Sequence, residues 1–284
     1  MNNLGSKFLT SILLGNALGV TLGLSSCGPN TEFDRIKGLT DESFGGKKYY
    51  LGWGAASSGD PDKMHNEVRY DVQHTSDVFT KDLGGSYNGT TIFGAEARGS
   101  RIVEKWEEYK TTMTKNDMYI QYSSGHGMQS GLAIGLSWRD MTRHLLELPS
   151  KETIIFTMAC YSGNFVDAMN AQKSTWQNRN EEGRTLFLMS SSRSSETSST
   201  GPGVDKTQPG PDGSAGSAYG HALWKALSGL ADGSVDGIKD GYLSLEEISV
   251  YTIKRTKELG GHTPVITGSY NPGLLMSRVP GNSQ

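Results

Sequence analysis

The sequence is short of cysteine, of net charge and of metal-ligand spacing, and each shortage closes off a class of function. Two cysteines in 284 residues cannot staple a fold together, so stability has to come from a hydrophobic core. Lys and Arg number 27 against 30 Asp and Glu. With no basic stripe along the chain, there is no electrostatic footprint for nucleic acid. His65, His74, His144, His221 and His262 never fall at His-x-x-x-His, and Cys-x-x-Cys is absent, which argues against a zinc site. No Gly-x-Ser-x-Gly follows a predicted strand, which weakens a serine-hydrolase reading.

What is present describes a globular protein. Hydrophobic residues make up 35%, with five Trp and twelve Tyr to fill a core, and 37 Gly imply many or long loops. The amino terminus reads as a targeting segment: Lys7, then an apolar stretch from Phe8 to Leu24, then Leu24-Ser25-Ser26-Cys27. This three-part layout is that of a secretory signal, and its last four residues resemble a bacterial lipobox. The expectation is a lipoprotein signal peptide over residues 1–26, lipidation at Cys27, a tether over 27–45 and one folded domain over 46–280. The protein would then be extracytoplasmic and membrane-anchored, in the periplasm or at the cell surface.

The rest alternates apolar runs with helical patterns. Strands are expected at Lys48–Gly54, Thr90–Phe93, Asp117–Ser123, Thr153–Cys160 and Thr185–Ser190. Helices are expected at Asn66–Leu83, Ser100–Tyr109 (with Ser100 as its cap), Trp138–Leu146, Asn164–Gln172, Ala218–Leu230 and Leu245–Glu258. A hairpin-like region precedes Trp138, Lys173–Arg184 reads as a polar surface loop, and Gly201–Ser214 as a long loop. Such alternation predicts an α/β domain with a mainly parallel sheet flanked by helices.

Two of these strands carry chemistry at their carboxyl ends, where open α/β sheets place their sites. One ends in Ser124-Gly-His-Gly127, the other in Ala159-Cys-Tyr-Ser-Gly163. If Cys27 is lipidated, Cys160 is the one free thiol. A thiol with an imidazole nearby can act as a nucleophile with a proton carrier, and Gly127 leaves its N–H open to join that of Cys160 in holding an oxyanion.

Tyr122-Ser-Ser-Gly-His-Gly127 followed by Phe156-Thr-Met-Ala-Cys-Tyr-Ser-Gly163 resembles the paired motifs of the caspase-like (clan CD) cysteine peptidases, the group of caspases, metacaspases and legumain-like enzymes. The resemblance implies a bacterial member with a three-layer caspase-hemoglobinase-like fold. It also implies a cysteine endopeptidase working through a Cys160/His126 dyad, with Gly127 and Cys160 amides as the oxyanion hole. The segment after Met189, with Ser191, Ser192, Arg193 and Glu196, would border the pocket for the residue before the cut bond. Glu196, Asp60 and Asp62 lie in loops that could reach that pocket, which leans specificity toward Arg or Lys. The alternative is a catalytically inactive lipoprotein using the same cleft to bind peptides or proteins. No cofactor is required for the chemistry.

A second motif runs from Asp236 to Glu247. Against a twelve-residue calcium loop, Asp236, Asp240, Tyr242 (through its carbonyl), Ser244 and Glu247 fall at ligand positions, while Ile238 breaks the pattern and Asp232 could substitute. The competing reading is a helix cap at Ser244. Ca²⁺ would be structural. Lys173, Arg179 and Arg184 lie where caspase-like enzymes are often cut during maturation, although a solvated loop explains them as well.

Overall fold

The computed structural model describes residues 46–56, 59–60, 62–82, 87–198 and 216–279. The expected signal peptide, Cys27, the tether and the Gly201–Ser214 loop lie outside them. In chain order the elements are β1 (Lys48–Ala55), α1 (Asp62–Asp77, continued by a π-turn over Val78–Asp82), β2 (Tyr87–Phe93), α2 (Gly99–Thr112) and β3 (Met118–Gly125). The short strands β4 (Gly127–Met128), β5 (Gly131–Leu132) and β6 (Leu136–Ser137) lead into α3 (Trp138–Glu147) and β7 (Glu152–Met158). Then come α4 (Gly163–Asn170), α5 (Lys173–Glu181), β8 (Thr185–Ser190) and α6 (Ala218–Lys225). The chain closes with β9 (Tyr242–Ser244), α7 (Leu245–Gly260), β10 (Val265–Ser269) and β11 (Leu275–Arg278).

Six strands form the central sheet in the order β10-β8-β7-β3-β1-β2. All neighbours pair in parallel except β10 with β8, which is antiparallel. Because side chains alternate across a strand, each buried strand feeds two cores. Tyr49, Leu51 and Trp53 of β1 face the cluster that holds Ile102 and Trp106 of α2, Leu145 of α3 and Phe165 of α4. Tyr50 faces the other, with Val72 of α1, Leu223 of α6 and Ile248 of α7. Helices α2 to α5 thus cover one face, and α1, α6 and α7 the other. The strand order turns around between β1 and β3, since the chain leaves β1 toward β2 on one side and returns to β3 on the other. That junction is where ligand crevices open in such sheets.

Three expectations change. Lys173–Arg184 is mostly helix α5, not an open loop, because Trp176 and Arg179 are buried on its inner face. Helix α2 begins at Gly99 after Arg98, and no side chain caps it, so Ser100 lies inside it. Strand β10 falls where no element was expected. Gly268 is needed there: at φ 131°, a Cβ would stand 2.0 Å from the Leu186 carbonyl oxygen across the pair. Among the described residues no helix is long and apolar enough to cross a membrane.

Beneath the β3 end lies a buried carboxyl. Asp71 of α1 accepts from the Ser217 amide at 3.0 Å and from the Ser124 hydroxyl at 3.4 Å. Burial outweighs those bonds and raises its pKa to about 7, with the Ser217 contacts and Ser124 opposing and Glu67 adding. Burial raises Glu152 to about 7 as well, against the pull of Lys151. Both groups hold a proton more tightly folded than unfolded, so their stabilising protonation is complete below the unfolded carboxyl range. It is lost as pH rises through about 7. Urea unfolding is therefore expected to show higher stability at pH 5 than at pH 8. Asp71→Asn, which keeps an acceptor for Ser217 without a titrating proton, should flatten the curve and gain at pH 8. A variant with the wild-type pH slope would refute the assignment.

Candidate active site

Cys160 stands two residues past the end of β7, and His126 directly follows β3. The parallel register pairs Ser123 with Thr157 and Ser124 with Met158. Extended by two residues, it brings His126 abreast of Cys160 on strands about 4.8 Å apart. Gly127 makes the approach direct: a Cβ there would lie 1.9 Å from the Cys160 carbonyl oxygen and 2.9 Å from the Ala159 Cβ. A side chain at 127 would push the two loops apart, so glycine is required by the close approach.

The turn that presents Cys160 is strained and tightly held. Tyr161 has φ 57°, the one positive φ outside glycine among the described residues, a conformation costing about 1 kcal/mol or more. Its amide donates to the Glu196 carbonyl at 2.8 Å, and its own carbonyl accepts from Asn164 Nδ2 at 3.0 Å. Below it, serine hydroxyls converge on one peptide group. The Ala159 amide donates to Ser191 Oγ at 3.1 Å, and the Ala159 carbonyl accepts from Ser192 at 3.2 Å and Ser198 at 2.9 Å. Ser162 Oγ bridges Ser191 and Ser192. The family resemblance implies Ser191 and Ser192 at the pocket border; here both are fully buried and hold the cysteine turn from beneath. His262, which sequence reasoning passed over, anchors the same segment: its Nδ1 lies 2.6 Å from the Ser191 carbonyl, so that nitrogen carries the proton.

Arg193 and Glu196 sit side by side, Nη1 to Oε1 3.8 Å, with the Arg side chain 61% exposed. The Glu196 carboxylate also accepts from the amides of Arg193 and Thr263 at 3.2 and 2.9 Å. Desolvation works against its charge, yet those amides outweigh it and hold its pKa below the ordinary value. Glu196 is thus turned toward backbone. Asp60 is different: its Oδ2 lies 2.8 Å from His126 Nε2. A carboxylate can only accept, so this contact fixes the proton on Nε2 and leaves the Nδ1 lone pair free to receive another. The thiol meanwhile donates to the Ser198 carbonyl at 3.7 Å.

The structure brings together Cys160, His126, Gly127 and Asp60 at the strand ends next to the topological turn. The Asp236–Glu247 region lies elsewhere, and its carboxylates are engaged. Glu247 and Ser244 form a reciprocal cap at the start of α7, and the other Glu247 oxygen accepts from Gly233. Asp232 accepts from the amides of Asp240 and Gly241. Asp236 and Asp240 each close a turn onto the amide two residues on, Ile238 and Tyr242. Among the described residues, the His, Cys, Asp and Glu groups that converge closely enough for a metal are Glu107, His144 and Glu147, and Lys110 Nζ bonds to all three. A cation would have to displace amide caps at Glu247, so adding calcium to chelated protein is expected to leave the melting temperature unchanged. A clear rise would support the calcium reading.

No family model matches the chain, and no curated protein sequence matches it. Solved structures do. Caspase-1 from Spodoptera frugiperda aligns over 84% of this chain and 91% of its own, at 11% identity and a TM-score of 0.52. The fold is caspase-like. The protein GSU0716 from Geobacter sulfurreducens aligns over 82% of this chain and 97% of its own, at 15% identity and the same TM-score of 0.52. At such identities the likeness concerns the caspase-like fold, its mainly parallel sheet flanked by helices; the chemistry has to be argued from the residues.

Proposed function

We propose that the protein is a cysteine endopeptidase acting through Cys160 and His126. The observation that carries this is the seating of Gly127 against Cys160: the imidazole-bearing and thiol-bearing loops touch at the sheet edge, and Asp60 sets the tautomer a base needs. His126 Nδ1 takes the thiol proton, and Cys160 Sγ attacks the peptide carbonyl carbon. The amides of Gly127 and Cys160 hold the oxyanion. His126 returns the proton to the leaving nitrogen as the C–N bond breaks, leaving a thioester. Water then attacks that thioester, giving a proton to His126, and the thiolate departs.

Substrates are peptides or proteins. The finer proposal is cleavage after Arg or Lys, supported by the Asp60 carboxylate beside His126; a peptide library showing cleavage only after Asp would refute it. Anchoring through Cys27 in an extracytoplasmic membrane rests on the amino-terminal sequence, and metabolic labelling with a fatty acid, lost in Cys27→Ala, tests it. The enzymatic reading is tested by a thiol-directed peptidyl probe. Wild-type protein should be labelled and Cys160→Ala should not; equal labelling of the two would sink it.

A further inference from the structure

Cys160 and His126 occupy the carboxyl end of the sheet, and lysines gather at the other end, where strands begin. Lys47 and Lys48 stand at the start of β1, Lys115 ahead of β3 and Lys151 ahead of β7. Backbone bonds stitch that edge together, from the Met118 amide to the Lys47 carbonyl at 2.9 Å and from the Lys151 amide to the Asp117 carbonyl at 2.7 Å. Neighbouring strands lie about 4.8 Å apart, so the lysines form one row, and Lys47, Lys115 and Lys151 are exposed. The carboxylates of the same edge turn inward. Asp117 is buried and accepts from the amides of Lys47 and Thr114, each at 2.6 Å, and buried Glu152 accepts from the Thr185 hydroxyl. Toward β8 the row ends, where exposed Glu181 closes α5 and Glu182 pairs with Arg184.

Exposed apolar side chains lie at the same end. Helix α6 starts at the carboxyl end, where Asp71 accepts from both Ser217 and Ser124, and α7 returns there, reaching His262 on the Ser191 carbonyl. The segment that joins the two helices, residues 226–241, is therefore at the amino end. The chain after β10 agrees: Ser269 pairs with Leu186 near the start of β8, and Leu274 soon follows, its carbonyl taking the Leu245 amide at 2.8 Å where α7 begins. Leu230, Val235 and Ile238 of the joining segment are 58, 47 and 63% exposed, three of the five exposed large hydrophobics among the described residues. Lys239 is exposed beside them, while Asp236 and Asp240 fold onto turn amides. Lysines around protruding apolar side chains suit an anionic bilayer, which takes the charges at its headgroups and the apolar groups at the acyl boundary. The described residues also begin here, at Gly46, so the chain coming from Cys27 joins at this edge. At about 3.5 Å per residue at most, it keeps Gly46 within roughly 65 Å of a lipid on Cys27.

Building on the reading of Cys27 as a lipid anchor, we infer that the amino edge of the sheet is a membrane-docking face. It lays Lys47, Lys48, Lys115 and Lys151 on anionic headgroups and seats the Leu230–Ile238 segment at the acyl boundary. Cys160 and His126 then face away from the bilayer, since β3, eight residues long, sets the two edges about 26 Å apart.

The test uses the full-length lipoprotein purified from membranes, carrying Cys160→Ala and one new cysteine for an environment-sensitive dye, either Ile238→Cys or, beside the site, Met128→Cys. In vesicles of phosphatidylcholine with phosphatidylglycerol, the dye at 238 is expected to move to shorter wavelength. It should also lose about half its intensity to nitroxide-labelled lipid, as a group about 5–10 Å deep would. The dye at 128 should do neither. Adding Lys47→Glu with Lys115→Glu, or omitting phosphatidylglycerol, should remove most of the change at 238, whereas Lys254→Glu, further along α7, should not. Flotation of the vesicles reports the anchor separately. Protein that floats with the dye at 238 unshifted, or with both dyes quenched alike, overturns the docking face and leaves the anchor standing. Protein that does not float has neither. A shift produced by soluble polyglutamate and not by phosphatidylglycerol overturns the bilayer in favour of an acidic protein partner.

Discussion

Replacing Cys160 by Ala is expected to lower kcat/KM for a cleavable peptide by about ten-thousandfold or more, since members of a nucleophile–base pair act as one unit. His126→Ala should fall nearly as far, and the double variant little further, because either loss disables the same proton transfer. Asp60→Asn should cost less, about ten- to a hundredfold. Asn can offer Nε2 an oxygen but can also turn its amide nitrogen to the ring, so the tautomer is no longer fixed. Its signature is therefore a fall in kcat with KM little changed, whereas Asp60→Ala, which offers the ring no acceptor, should fall further. Initial rates with a fluorogenic peptide measure all of these. Retained turnover in Cys160→Ala would remove the thiol from the mechanism, and an unchanged kcat in Asp60→Ala would remove Asp60 from the imidazole.

Arg179→Met is expected to destabilise the protein strongly, by about 3–5 kcal/mol with a fall in melting temperature of about 10 °C. Arg179 is 4% exposed. Its guanidinium donates to the carbonyls of Leu145 and Leu146 at 3.2 and 2.7 Å, to that of Ser150 at 3.4 Å, and to Thr153 Oγ1 at 3.0 Å. The first two are carbonyls of the last turn of α3, where helical donors run out; that of Leu145 also receives the Leu148 amide at 3.4 Å. Burial, helped by Arg184, lowers the Arg179 pKa to about 9, so the group stays protonated at neutral pH and keeps every donor. Methionine fills the volume but leaves buried carbonyls unmatched. Lysine supplies charge without the fork, and should recover less than half of the loss. Thermal unfolding by circular dichroism measures both; a Met variant within about 1 kcal/mol of wild type would show the bonds to be dispensable.

The same residue shows why part of this chain was illegible beforehand. Read as sequence, Lys173–Arg184 is polar enough to be a loop and carries cations that suggest a processing site. In the fold Arg179 is an inward residue of a helix, and its partners come from a different helix, from the turn before β7 and from the start of β7 itself. Polarity reports solvent only when no distant carbonyl is waiting, and that cannot be seen along the chain. Strand β10 escaped for a related reason: Gly268 is a breaker in isolation and a necessity where the Leu186 carbonyl approaches. The Asp236–Glu247 loop fits a calcium pattern and a capping pattern equally well, and the bonds around Ser244 and Glu247 are those of the cap.

By itself the sequence determined the architecture and named the candidate pair, His126 and Cys160. The long buried runs Lys48–Gly54, Asp117–Ser123, Thr153–Cys160 and Thr185–Ser190 impose a parallel sheet, because strands buried on both faces must be apolar throughout. The motifs at their ends deliver His126, Gly127 and Cys160 to one edge. Tertiary structure decided what surrounds that pair: Asp60 on the imidazole, serine hydroxyls under the cysteine turn, and Glu196 drawn onto backbone amides. The periodicity of a strand is a local property that each residue announces through its own side chain. A hydrogen-bond partner dozens of residues away is a property of the folded chain alone.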